Sequence, residues 1–175
     1  MKNLLREKTS LQEDIEMALN AQAKMEADAS NKYLAMASWL ERNGFERSAE
    51  YLYRQAEEER EHFLKIFRYI NEVGGNAVTP ATGEVQLEYP GLKSVFEAAL
   101  QSEIAVTHAI NRLVGLCRSG NDYTTEEFLM WYVKEQREEE KNARRALELF
   151  DLIDVNSAAG PFVLDKAISK IGEDE

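Results

Sequence analysis

"GGNAVTPATGEVQLEYP", residues 74–90, is the stretch whose reading decides the fold. It carries two of the chain's three prolines, and long proline-free segments lie on either side of it. Gly74-Gly75 stops the helical pattern before it. Extended, its 17 residues reach roughly 55–60 Å. A helix of about 30 residues is only about 45 Å long. The segment can therefore cross a helical domain from end to end.

Working outward, the flanking segments read as four helices of matched length. The first, about 10–43, follows the capping-box pattern Ser10-x-x-Glu13 and repeats apolar or small residues at Leu11, Ile15, Ala18, Leu19, Ala29, Tyr33, Ala37 and Leu40. Asn43-Gly44 ends it. The second, about 45–73, runs through Leu52, Phe63, Ile66 and Ile70. The third, about 91–118, runs through Val95, Phe96, Ala99, Val106, Ile110 and Leu113, and "SGND" breaks it. Thr124-x-x-Glu127 has the capping-box pattern and opens a fourth, about 124–153. Two of the three links are short, so helices one and two, and three and four, form antiparallel hairpins. The long link makes helices two and three parallel. The fold class is all-α: a single-domain four-helix bundle with one long crossover. A short fifth helix, about 161–171, starts with Pro161 at the favoured first position. Its Phe162, Val163, Leu164, Ala167, Ile168 and Ile171 exceed what a four-helix core needs to bury. A subunit contact is expected of it; the plainer reading folds it onto the bundle end.

Composition removes several classes of function. Hydrophobic residues make up 44% and charged residues 30%, and no apolar run approaches a membrane span. The opening residues lack the apolar centre of a signal peptide, so a cytoplasmic protein is expected. A net charge of −11 speaks against nucleic acid as the main partner and fits attraction of cations. The single cysteine, Cys117, lies among Leu113, Val114 and Leu116 and reads as a buried small hydrophobe.

Polar residues on the apolar stripes point to chemistry. Residues three, four or seven apart share a helix face. Glu26 is seven from both Leu19 and Tyr33; Glu59 is seven from both Leu52 and Ile66; Glu103 is seven from both Phe96 and Ile110. His62 shares the face of Glu59. Gln136 is seven after Leu129, and Glu139 seven after Tyr132. Each long helix thus places a carboxylate where a hydrophobe belongs, while Glu57 and Arg60 fall off the stripe. Two buried carboxylates about 6 Å apart repel by about 3 kcal/mol at an effective dielectric near 20. Four of them need protons or cations. Two divalent metals match the charge, and oxygen ligands with one imidazole suit iron or manganese. A plain structural bundle with protonated inward acids is the competing reading.

"AEEEREHFLKIFRYI" (56–70), "FLMWYVKEQREEEK" (128–141) and "GPFVLDKAISK" (160–170) resemble a bacterial non-haem ferritin, of the ferritin-like di-iron carboxylate superfamily, with the likeness spanning about Leu19 to Ile171. Such centres take a Glu from each of two helices and Glu-x-x-His from each of the other two. Here the fourth helix departs, offering Gln136-x-x-Glu139. The resemblance implies a ferritin-like bundle, a homo-oligomer in the form of a 24-subunit cage, and two irons per subunit. It implies iron storage and detoxification by a ferroxidase that oxidises Fe(II) with O2 or H2O2 and keeps the ferric mineral inside. Glu26, Glu59 and His62 match the ligands of the first iron; Glu59, Glu103 and Glu139, with Gln136 close by, match those of the second. Glu58, Glu135 and Glu138 match a third site, or else a solvated face. Tyr33 matches a tyrosine beside the centre, or else a core aromatic. Glu126 and Glu127 match acids at an iron entry channel. Arg60 stands where a haem-ligating methionine would be, so no haem is expected. His108, about 140° around the helix from Glu103, stays outside the site. The alternative function is a non-catalytic shell that nucleates mineral from iron oxidised elsewhere.

Overall fold

The computed structural model describes residues 9–172. The helices are α1 (Glu13–Arg42), α2 (Glu46–Glu72), α3 (Leu92–Gly120), α4 (Tyr123–Leu152) and α5 (Gly160–Ile168), with no strand among the described residues. None of these helices is long and apolar enough to cross a membrane. The helix ends lie within about three residues of the expected ones. The caps differ more. Neither capping box forms: α1 starts three residues later than expected, after Gln12. Ser10 is exposed, and it is Thr9 whose hydroxyl donates to the Val73 carbonyl at 2.6 Å and accepts from Leu11 N–H at 3.0 Å. At α4 the cap is Asp122, which accepts from Thr125 N–H at 3.0 Å and from the Thr125 hydroxyl at 2.6 Å.

Two contacts at one end fix the topology. Thr9, before α1, meets Val73, after α2, and Gln12 donates to the Gly120 carbonyl at the end of α3 at 2.7 Å. The C-termini of α2 and α3 therefore share an end, and the two helices run parallel, as the long link requires. Asn121 turns the chain there in the left-handed conformation, φ 57°, which asparagine tolerates. The crossover lies along α1. Asn20 bridges the Asn76 carbonyl and Val78 N–H, Asp28 accepts from Gly83 N–H at 2.9 Å, and Arg42 reaches Glu88 at 3.2 Å. Tyr89 then packs edge-on against Trp39, ring centroids 5.7 Å apart.

The core is divided in two. One apolar cluster, at the α5 end, gathers residues such as Tyr33, Ala37, Leu40, Leu52, Phe96 and Leu164; the other gathers Ile15, Leu19, Ile66, Ile110, Leu129 and Tyr132. Cys117 is fully buried in the second, and burial pushes its thiol up to about 11. Between the clusters lies a polar layer.

The fifth helix is docked on its own bundle. Leu164 and Ile168 are fully buried, whereas Phe162 and Val163 stay exposed. Its Asp165 accepts from Ser48 N–H at 2.8 Å and Arg47 N–H at 3.3 Å. Phe45, the residue preceding α2, makes no side-chain cap of its own, so a carboxylate about 120 residues away satisfies the free N–H groups of that helix start. The plainer of the two expectations for this segment therefore describes its inner face. Replacing Asp165 by Ala should lower stability by about 1–2 kcal/mol, as loss of an N-cap does. Asp165→Asn should keep most of it, and equilibrium urea unfolding measures both; equal losses in the two variants would refute the capping role.

Candidate metal centre

Helix geometry brings the stripe acids to one height. Measured from the α5 end, Glu26 is 16 residues from Arg42, Glu59 is 13 from Glu46, Glu103 is 11 from Leu92 and Glu139 is 13 from Leu152. At 1.5 Å per residue these are heights of roughly 17–24 Å, little more than one turn apart. Glu59 sits at the middle of α2 and Glu103 close to the middle of α3, so the acids meet at mid-height. All four are buried, at 0–4% exposure, as are His62, Gln136 and Tyr33. Glu57, Arg60 and His108 are exposed, as expected.

Ligand atoms of Glu26, Glu59 and His62 lie within 4.8 Å of one another, a group able to hold a metal ion. Among the described residues a second such group comprises Glu58, His62, Glu135 and Glu139. The sequence suggested different partners for the second group. Glu103 belongs to neither, and Glu138 is half-buried, lining a cavity of about 190 Å³ with Glu58 and Glu139. The Tyr33 hydroxyl donates to Glu103 Oε1. A groove of about 620 Å³ between α2 and α4 reaches Glu58, His62, Trp131 and Glu135 and opens the layer to solvent.

Two supports were not read from the sequence. Gln22 Nε2 donates to Glu26 Oε1 at 2.8 Å; its place one turn before Glu26 was the available signal. The Tyr132 hydroxyl donates to the His62 carbonyl at 2.8 Å, and the rings of Trp131 and Tyr132 meet the imidazole edge-on with centroids 5.3 and 6.0 Å away. These fix where the His62 side chain starts and which way its ring faces.

The electrostatics are those of a site built for cations. Burial pushes Glu26, Glu59 and Glu139 well above the ordinary carboxylate range, with the charge of Glu59 adding at Glu26 and that of Glu103 adding at Glu59 and Glu139. Burial raises Glu103 too, opposed by the Tyr33 hydrogen bond. Among the described residues Glu26 Oε2, Glu59 Oε2, His62 Nδ1, Glu103 Oε2 and Gln136 Nε2 are buried without a hydrogen-bond partner. His62 Nδ1 and Glu59 Oε2 stand 3.5 Å apart without bonding geometry. Such orphaned atoms are rare and costly in proteins. A divalent metal bound by oxygen and imidazole satisfies several at once, so the residues fit one.

A bundle with one long crossover, built around an internal carboxylate layer, defines a class of metal-handling helical proteins. Residues 16–153 match the family model described as a ferritin-like domain, and the chain belongs to that family. It is 38% identical over 161 residues to a probable bacterial non-haem ferritin-like protein of Haemophilus influenzae, covering 92% of this chain and 97% of that one. It is 32% identical over 161 residues to the bacterial non-haem ferritin of Campylobacter jejuni, covering 92% and 96%. Among solved structures, an open-pore ferritin from the archaeon Archaeoglobus fulgidus superposes with a TM-score of 0.88 at 33% identity, over 91% of this chain and 97% of that one.

The raised acids set the sign of a pH effect. Each holds its proton more tightly folded than unfolded, so stability falls as pH rises from the free carboxylate value near 4.3 through the raised folded values. Glu140, held low first by the Thr107 hydroxyl, and Asp28, where burial is offset by the Lys24 and Gly83 hydrogen bonds and the lysine charges together, run the other way, but both keep contact with solvent and count for less. The metal-free protein should therefore melt at higher temperature at pH 5.5 than at pH 8, with a shallower trend in Glu26→Gln. Saturating Zn²⁺ should flatten the trend and release protons on binding, read by calorimetry in buffers of different ionisation enthalpy. Binding without proton release would contradict the raised values.

Proposed function

We propose that this chain stores iron, and that it does so as a ferroxidase. Fe²⁺ is the substrate. Two ions bind within one subunit, each gives up one electron, and O2 or H2O2 takes up the pair. The ferric product leaves for the interior of an oligomeric cage and is kept there as mineral. The observation that carries this reading is the layer of four buried carboxylates and one imidazole with unpaired atoms inside a single subunit. The names of its relatives, a bacterial non-haem ferritin and a probable non-haem ferritin-like protein, support iron as the metal. The open-pore ferritin it resembles supports assembly into a hollow shell, here taken to be of 24 subunits.

In this reading Glu26, Glu59 and His62 hold the first iron. Glu59 also reaches the second, which Glu103 and Glu139 complete together with Gln136. Glu58, Glu135 and Glu138 bind a further ion, and the grouping of Glu58 and Glu135 with His62 and Glu139 supports a station immediately beside the first. The chain's own contribution is position and charge. Tyr33 steadies Glu103 through its hydroxyl and stands ready as a one-electron donor beside the iron pair. Gln22 holds Glu26 in place. The groove between α2 and α4 is the path for ions.

Mixing the metal-free protein with Fe²⁺ in air and following the ferric absorbance tests this. Rapid oxidation should saturate near two irons per chain. The double variant Glu59→Ala with His62→Ala should slow it by at least tenfold, the range seen when metal ligands or their supports are lost. Wild-type oxidation that is no faster than the variant's would leave a storage shell without ferroxidase activity.

A further inference from the structure

One stripe of α4 is basic in an acidic protein. Lys141, Arg144, Arg145 and Glu148 stand at the spacing of a single helix face. With Lys170, just past α5, they line a groove of about 590 Å³ between α4 and the C-terminal segment. Four cationic side chains face one acid there, in a chain of net charge −11. The groove between α2 and α4, by contrast, sets Glu58, Glu61, Glu72 and Glu135 against Lys65 and Arg68.

The ion pairs on this stripe do not use up its donors. Arg144 Nη1 donates to Glu140 at 2.6 Å and Arg145 Nη1 to Glu148 at 3.1 Å. Each guanidinium has further N–H groups for another acceptor. Both arginines are exposed, where such pairs hold weakly. The floor is apolar, with Leu149 and Ile171 buried beneath the charges. An anion lying on that floor is partly shielded from water, and its attraction to the cations grows. Cations stand on both walls, and a guanidinium matches a carboxylate through two parallel hydrogen bonds. The volume is that of a small-molecule site. A long polyanion would instead meet the negative charge of the rest of the chain.

The groove adjoins the metal layer. Asn142, Ile171 and Gly172 line it, and the same three line the chamber of about 190 Å³ that reaches Glu58, Glu138 and Glu139. A molecule spanning the two spaces meets cations at one end and acids at the other. We propose that the groove between α4 and the segment after α5 binds a small polycarboxylate of the metal-chelating kind, such as citrate, and that this anion exchanges metal with the acids of the adjoining chamber. Carboxylates against the basic walls hold it in place. A remaining carboxylate is an oxygen ligand for a cation held at Glu58, Glu138 and Glu139. The anion site stands on the groove alone; the exchange rests on the metal-centre reading above.

Calorimetric titration of the metal-free protein with citrate tests the site in wild type, in Lys170→Arg and in the double variant Arg145→Gln with Lys170→Gln. Wild type and Lys170→Arg should bind saturably. The double variant should bind about tenfold more weakly or worse, having lost two charge-assisted contacts, with its melting temperature unchanged. Exchange is tested by loading the protein with Zn²⁺ and following its transfer to citrate. The rate should level off with rising citrate in wild type, as a docked complex fills, and stay proportional to citrate in the double variant, with equal Zn²⁺ affinity in both. No saturable citrate binding, or equal binding by the double variant, overturns the proposal. So does inorganic phosphate that binds as tightly as citrate, because the groove then takes any oxyanion. Binding that appears only when Glu173, Asp174 and Glu175 are changed to Gln, Asn and Gln also overturns it, since the chain's own acidic end then holds the groove. If citrate binds but the wild-type rate never levels off, the exchange is wrong. If wild type holds no Zn²⁺, the metal-centre reading fails and takes the exchange with it.

Discussion

Four carboxylates are buried together at mid-height in a bundle whose remaining interior is mainly apolar, and the other features of the structure accommodate that constraint. Ionised and unpaired, such a layer costs more than a fold of ordinary stability can absorb. The apolar clusters above and below it, one around Leu40, Leu52 and Phe96 and one around Ile15, Ile66 and Leu129, hold the helices so that the acids cannot swing out to water. The same packing leaves Glu26, Glu59 and Glu103 each with an oxygen that no protein donor reaches. A centre of this kind trades stability in the metal-free state for affinity in the loaded one.

The acids lie near the middle of their helices, so the layer forms at mid-height, and the crossover's part is to return the chain to the α5 end before α3 begins. Its course along α1 is pinned at Asn20, Asp28, Trp39 and Arg42, which spreads the ordering of a long segment over several small contacts. At the far end, Asp165 ties α5 to the start of α2. Helix α2, which supplies both Glu59 and His62, is thus fixed at each end by residues distant in sequence, Thr9 at one and Asp165 at the other.

Around the acids stands a shell of neutral polar groups. Gln22 bonds Glu26, Tyr33 bonds Glu103, Tyr132 bonds the His62 backbone and Thr107 contacts Gln136. Partners of this kind set the orientation and basicity of the groups that bind metal. Lys65, which lines the same groove as His62, lies over the Trp131 ring with its Nζ 3.8 Å from the centroid.

The sequence by itself determined the helices, their pairing and the acidic layer. Heptad spacing put Glu26, Glu59, Glu103 and Glu139 on apolar stripes, and the reach of residues 74–90 set α2 parallel to α3. Those signals are local periodicities and chain lengths, which survive without coordinates. The capping boxes at Ser10 and Thr124 failed because a cap depends on which residue stands immediately before the first turn: α1 begins after Gln12, which makes no side-chain cap, and at α4 Asp122 takes the Thr125 N–H. Which acids group with His62, the bond from Gln22 to Glu26, the reach of Asp165 to α2 and the bond from Thr107 to Gln136 across α3 and α4 were decided only by tertiary structure. Side chains on different helices meet according to rotation about each helix axis, and one residue's step turns a face by 100°. A stripe fixes that rotation well enough to bury a residue, but not well enough to name the atom it touches.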